Sequence, residues 1–296
     1  MNNDLEREVR ELIHRALAED IGAGDITSQA CVPAEAEGRG RLVARQDLTL
    51  AGIELLPLIY DHELTPGPPP ERRVAFTPLR LNGERLGAGE MIATVAGPVR
   101  RLLERERVAL NFLQRLCGTA TRARQFVEAV SGAGVTILDT RKTTPGMRIL
   151  EKRAVAAGGA ANHRMGLYDA VLIKENHVAA AGGIRQAIEA ARRASNNIEV
   201  EVRDGEELRE AIEAGAQRVL LDNMTPDQVR ACVELARQRA DARAPRVWVE
   251  VSGGISLDNV RAYALAGPDF ISVGALTHSA PAADISFLLE SVTSGE

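Results

Sequence analysis

The chain has 296 residues, 45% of them hydrophobic and 26% charged, and a net charge of −5. That length holds one large domain or two ordinary ones, and the balance is that of a globular protein. The negative charge and 3% aromatic content argue against a nucleic-acid-binding face, and no apolar run is long enough to cross a bilayer.

The N-terminus, Met1 to Arg7, is acidic and helical in style and reads as no signal peptide. Residues 5–19 carry an apolar stripe (Leu5, Val9, Leu12, Ile13, Ala16, Leu17) at helical spacing. A turn-rich stretch at 21–27 follows. From 39 to 96 short β-like runs at 41–44 and 91–95 are broken by Gly and Pro, with a proline-rich loop at 66–70. Residues 99–130 return to a helical pattern, with a break expected near Gly118. Cys31, Cys117 and Cys232 are far apart, lack paired metal spacing, and read as reduced thiols of a cytoplasmic protein.

After Ser131 the rhythm changes. Six short runs rich in β-branched residues appear at 135–138, 170–173, 198–202, 218–221, 247–251 and 270–273. Helical patterns at 183–194, 205–214, 226–239 and 257–266 separate most of them. Strands alternating with helices predict βα units on a parallel sheet, and continuous apolar strands fit burial on both faces. The predicted fold is therefore α/β: a small N-terminal α+β sandwich-like domain plus an open or incomplete (β/α) barrel, six strands being fewer than eight.

Each run ends in a polar residue or glycine: Asp139 with Arg141 and Lys142, then Lys174, Glu201, Asp222, Ser252 with Gly253 and Gly254, and Gly274. In a (β/α) barrel such ends converge on one mouth, where the chemistry is done. Lysine usage singles out the same region. The chain has 36 lysines and arginines, yet only Lys142, Lys152 and Lys174 are lysine, all within 33 residues. Where arginine carries the surface charge, a retained lysine suggests a need for a compact ammonium. Lys152, between Glu151 and Arg153, reads as part of a solvated helix face.

Arg141, Lys142, His163, Arg164 and Lys174 suit carboxylate and phosphate oxygens. The turns at 252–254 (Ser252, Gly253, Gly254) and 273–275 (Val273, Gly274, Ala275) offer backbone N–H groups to a phosphate, or are only tight turns. Glu201 and Asp222 either neutralise the cations or hold ligand hydroxyls or a divalent cation. A phosphorylated sugar with free hydroxyls would use all of these groups.

Long ordered stretches carry a resemblance. They are Glu19 to Asp25, Glu106-Arg107 with Ala109 to Leu116, Asp139 to Gly146, Asn162 to Asp169, Leu172 to His177, Glu199 to Val202, Leu221 to Met224 and Ser272 to His278. Together they resemble the quinolinate phosphoribosyltransferases, over nearly the whole chain. The resemblance implies decarboxylating transfer from phosphoribosyl pyrophosphate to quinolinate, with Mg²⁺, in the cytoplasm. It assigns the two substrate carboxylates to Arg141, His163, Arg164 and Lys174, beside Thr140. Lys142 falls on the phosphoribosyl side, and Glu201 and Asp222 on the ribose hydroxyls, directly or through the metal. Lys142, Glu201 and Asp222 are the implied catalytic groups. The two turns would take the 5′-phosphate.

Arg107 resembles the arginine inserted into a neighbouring subunit's site, which implies a homodimer or higher oligomer; by itself it reads as a helix-surface charge. The implied domains are 1–117, completed by 278–296, and 118–277. Two departures are Val108, where a small hydroxyl residue is usual, and Cys117-Gly118-Thr119 in place of Ser-Gly-Ile. An insertion at 241–246 falls in a helix-strand loop. Rival readings are a sister phosphoribosyltransferase with another acceptor, a Schiff-base aldolase using Lys174 or Lys142, and a non-catalytic phosphate-binding regulator.

Overall fold

The computed structural model describes residues 3–62, 73–195, 197–238 and 246–293. The loops expected at 66–70 and 241–245 lie outside them. The chain divides into two compact units, Met1–Thr121 with Ala280–Glu296, and Arg122–Ser279.

The first unit opens with α1 (Asn3–Ile21), which buries Val9, Ile13 and Leu17, one residue per turn. The carboxylate of Asp25 caps α2 (Ile26–Cys31) by accepting the N–H groups of Thr27 and Ser28, both at 3.0 Å. Next come β1 (Glu37–Ala44), β2 (Leu48–Thr49), α3 (Leu55–Asp61), β3 (Ala75–Pro78), β4 (Arg85–Leu86) and β5 (Met91–Pro98). Helix α4 (Val99–Ala129) then runs unbroken for 31 residues. The break expected near Gly118 does not occur. A glycine inside a helix costs only about 1 kcal/mol, which a long buried apolar face outweighs.

The second unit alternates strand and helix. Its elements are β6 (Thr136–Leu138), α5 (Arg148–Ala157), β7 (Val171–Ile173), α6 (Glu175–Ala181), α7 (Ile184–Ala191) and β8 (Ile198–Val202). They continue with α8 (Gly205–Glu213), β9 (Arg218–Asp222), α9 (Pro226–Gln238), β10 (Trp248–Ser252), α10 (Val260–Leu265), β11 (Phe270–Ser272) and α11 (Ala275–His278). All six strands are parallel, in the order β6-β11-β10-β9-β8-β7. The edge strands β6 and β7 do not pair with each other among the described residues, so the barrel is open. Ala161, after α5, makes an isolated parallel bridge to Leu138 along the free edge of β6. The apolar core combines strand residues such as Val200, Val219, Val249 and Ile271 with helix residues such as Leu208, Ala211, Val229 and Val260.

The last strand, β12 (Ile285–Thr293), returns to the first unit. It pairs antiparallel with β1, in a sheet of order β12-β1-β5-β3. The segment leading into it lies along α4. Gln114 accepts the N–H of Ala283 at 2.9 Å and gives its side-chain amide to the carbonyl of Ile285 at 2.8 Å. Arg115 donates to the carbonyl of Ala280 at 2.9 Å. Gly118 makes this approach possible, because a Cβ there would collide with the carbonyl oxygen of Pro281. No helix is long and apolar enough to cross a membrane among the described residues.

Candidate active site

The strand ends of the second unit line one cleft of about 620 Å³. Thr140, Arg141 and Lys142 enter it from the loop after β6, and His163 and Arg164 from the segment before β7. Lys174 comes from the end of β7, Glu201 from β8 and Asp222 from β9. Ser252, Gly253 and Gly254 come from the end of β10, with Gly274 and Ala275 just beyond β11.

Two sequence-derived candidates lie elsewhere. Val273 is 1% exposed in the core and donates its N–H to the carbonyl of Leu138 at 2.9 Å, so it offers the cleft no donor. Arg107 is exposed on α4 in the first unit and is not part of this lining. His278, to which the sequence reading gave no role of its own, also lines the cleft. Its imidazole and the Lys142 side chain crowd Gly274 to 3.0 and 3.2 Å from where a Cβ would stand.

The cations are fixed by identifiable contacts. Arg164 donates to the carbonyl of Ala170 at 3.0 Å, and burial together with the charge of Arg141 pushes its guanidinium pKa down. Two positive groups crowded in this way favour an anion between them. The backbone N–H of Lys174 donates to Nδ1 of His177 at 2.9 Å, which caps the start of α6. The half-exposed Lys174 ammonium pairs with Glu201 at 2.5 Å. Asp222 accepts from the side chain of Asn223 at 2.8 Å. Gly253 has φ +97°, and a Cβ there would collide with Asn223. This position of the cleft lining therefore tolerates only glycine.

Sequence reasoning missed the layer beneath. Lys152, expected on a solvated face, is 1% exposed and bonded to the fully buried Asp139 at 2.5 Å. A charge on a helix reads as solvated unless its partner is known, and that partner lies on β6's end. Asp139 also accepts from the Asn162 side chain at 2.6 Å and the His163 N–H at 2.8 Å. One carboxylate thus ties α5 and the His163 segment to the end of β6. Glu151, also buried, accepts both the N–H and the hydroxyl of Thr144 at 2.9 and 2.8 Å, bracing the loop that carries Lys142. Arg148 bridges the carbonyls of Arg141 and Met165 at 3.3 and 3.2 Å.

Inside the barrel lie Glu199 and Glu250, 4% and 0% exposed. Arg218 donates to both, to Glu199 at 2.9 Å. Nε2 of His163 lies 3.0 Å from Glu199 and 3.5 Å from Glu250, and the Ser272 hydroxyl donates to Glu250. Burial, then the charge of Glu199, push Glu250 up to about 7. The sequence signal for this layer was a glutamate inside each of two apolar strands, Glu199 beside Glu201 on β8 and Glu250 on β10.

An open parallel barrel with cations, carboxylates and glycine turns at its strand ends defines an α/β enzyme domain with an anion-binding mouth. Residues 25–117 match the model of the quinolinate phosphoribosyl transferase N-terminal domain, and residues 119–288 that of its C-terminal domain. A Mycobacterium leprae protein named nicotinate-nucleotide pyrophosphorylase [carboxylating] is 42% identical over 280 residues, 93% of this chain and 95% of the relative. The structure of the nicotinate-nucleotide pyrophosphorylase from Francisella tularensis superposes with a TM-score of 0.87 at 38% identity, covering 98% of each chain. That from Ehrlichia chaffeensis gives 0.86 at 35%, covering 95% of this chain and 98% of the other. The chain belongs to the quinolinate phosphoribosyltransferase family.

Proposed function

We propose that this enzyme transfers the phosphoribosyl group of phosphoribosyl pyrophosphate to quinolinate, giving nicotinate mononucleotide, carbon dioxide and pyrophosphate in NAD biosynthesis. The observation that carries the reading is the gathering of Arg141, Lys142, Arg164 and Lys174 with Glu201 and Asp222 around one cleft, in a protein of net charge −5. A dicarboxylate and a phosphorylated ribose between them need both signs of charge.

In this reading Arg141, Arg164 and Lys174 hold the two carboxylates of quinolinate and orient its ring nitrogen toward C1 of the ribose. Both ring nitrogens of His163 are already bonded, to the Arg164 N–H and to Glu199, so His163 braces the cleft rather than binding the substrate directly. The turns at 252–254 and 274–275 take the 5′-phosphate on backbone N–H groups. Glu201 and Asp222 hold the ribose hydroxyls. As the bond from C1 to pyrophosphate breaks, positive charge develops on the ribosyl ring, and the two carboxylates stabilise it. Lys142 faces the departing pyrophosphate. The nitrogen then bonds C1, and the cationic pyridinium draws in the electron pair left when the 2-carboxylate departs as carbon dioxide; C2 takes up a proton. No covalent enzyme intermediate is required, and orientation and charge do the work.

The oxygen donors of Glu201 and Asp222 fit Mg²⁺, which binds through one or two carboxylates plus substrate phosphates. When bound it would neutralise pyrophosphate charge. The same reading makes the protein a cytoplasmic homodimer or higher oligomer, with Arg107 reaching the neighbouring subunit's site, and gives it no nucleic-acid partner.

The test is release of pyrophosphate and carbon dioxide from phosphoribosyl pyrophosphate, Mg²⁺ and quinolinate, with nicotinate as parallel acceptor. Equal release of both products with quinolinate alone is expected. Pyrophosphate release with nicotinate and no carbon dioxide would overturn the reading in favour of the sister reaction.

A further inference from the structure

The polar layer inside the barrel has a charge problem. Glu199 and Glu250 are buried side by side, and the guanidinium of Arg218 bonds both. The third member, His163, is fixed at both ring nitrogens. The backbone N–H of Arg164 donates to its Nδ1 at 2.7 Å, and Nε2 faces Glu199 at 3.0 Å. Because Nδ1 accepts, the ring carries its hydrogen on Nε2 and gives it to Glu199. The spacing of His163, Glu199 and Glu250 is also that of a metal ligand set. Arg218 already occupies an oxygen of each glutamate, and Ser272 bonds to the second oxygen of Glu250. A cation placed there would face a guanidinium. The cluster is therefore a closed hydrogen-bond network, not a vacant metal site.

The network has a direction. It starts at Ser272 on β11, passes through Glu250 on β10, Arg218 on β9 and Glu199 on β8, and reaches the ring of His163. It ends at the backbone of Arg164, whose side chain lines the cleft. The segment bearing His163 and Arg164 follows the single bridge of Ala161 to Leu138 at the free edge of β6, and beyond that bridge no strand pairing holds it among the described residues. Asp139 anchors that segment from one side, and the glutamate pair is its support from the other.

We propose that Glu250 is a positioning residue for acceptor binding. Through Arg218 and Glu199 it sets the imidazole of His163, and with it the Arg164 cation that meets the acceptor's carboxylates. The proposal rests on the reading that Arg164 binds the dicarboxylate. Residues that only fill the core would affect stability and leave substrate discrimination alone, whereas Glu250 acts selectively on one substrate. Burial first, and then the charge of Glu199, raise its pKa to about 7.

Three variants of the full-length protein test this, each measured for KM toward quinolinate, KM toward phosphoribosyl pyrophosphate, kcat and Tm. Glu250→Gln keeps the shape and removes the charge. It is expected to raise the quinolinate KM about tenfold, as for loss of a charge-assisted contact, with the other KM within about twofold. Ser272→Ala, which removes only the hydroxyl donor to Glu250, is expected to shift the same constant in the same direction by about threefold. Arg164→Ala separates the two layers of inference. If it leaves the quinolinate KM unchanged, the acceptor site has been misread and the proposal goes with it. If it raises that KM while Glu250→Gln lowers only Tm, or raises both KM values equally, Glu250 is merely structural and the positioning role is overturned.

Discussion

Lys152 shows how much one residue's meaning depends on its partner. Its ammonium donates to Asp139 at 2.5 Å and to the carbonyl of His163 at 2.9 Å, with almost no solvent contact. Removing one member of a buried pair strands the other's charge, which costs about 3–5 kcal/mol. Lys152→Met is therefore expected to lower the free energy of unfolding in urea by about that amount. An unchanged denaturation midpoint would mean that Asp139 is not ionised. Glu250 sets a pH dependence at the same scale. Its folded-state pKa, about 7, lies above its ordinary 4.5, so the folded protein binds the proton more tightly than the unfolded chain does. The corresponding stability is present in full below pH 4.5 and is lost as pH rises through about 7. Tm measured across that window should fall for the wild type and fall less steeply for Glu250→Gln.

At the scale of elements, the junction of α4 with the segment before β12 is the most constrained feature of the first unit. The close approach at Gly118 lets Gln114 and Arg115 bond that segment. Gly118→Ala adds intrinsic helix propensity but forces a methyl group into the carbonyl oxygen of Pro281. Overpacking of this kind costs about 1–3 kcal/mol, more than the helix gain. The variant should unfold at lower denaturant; a stabilised variant would show that the segment can move aside freely. The βα units of the second unit were legible from local pattern, because each strand is a short apolar run bounded by turn residues. Strand β12 and the bridge at Ala161 were not, since their hydrogen-bond partners are distant in sequence. The helix break expected at Gly118 failed for a related reason: the glycine serves a neighbour, not a bend.

At the scale of the whole molecule, the proposed sharing of Arg107 between subunits gives a quantitative expectation. Arg107→Ala and Lys142→Ala should each abolish most turnover. Mixed, dissociated and reassembled, they form hybrid dimers with one intact site of two, which restores about a quarter of wild-type activity under random pairing. No recovery on mixing would place both residues in one subunit's site, and an Arg107→Ala variant with full turnover would leave Arg107 on a plain surface. The sequence by itself determined the class of fold, the order of the strand ends and the cations and carboxylates they carry, because βα alternation and strand-end placement are local properties. Only the tertiary structure decided which charges are buried. It put Lys152 against Asp139, set Glu250 under His163 and withdrew Val273 into the core. Burial of a charged or polar group depends on partners brought together from separate strands, and no pattern within one segment records that.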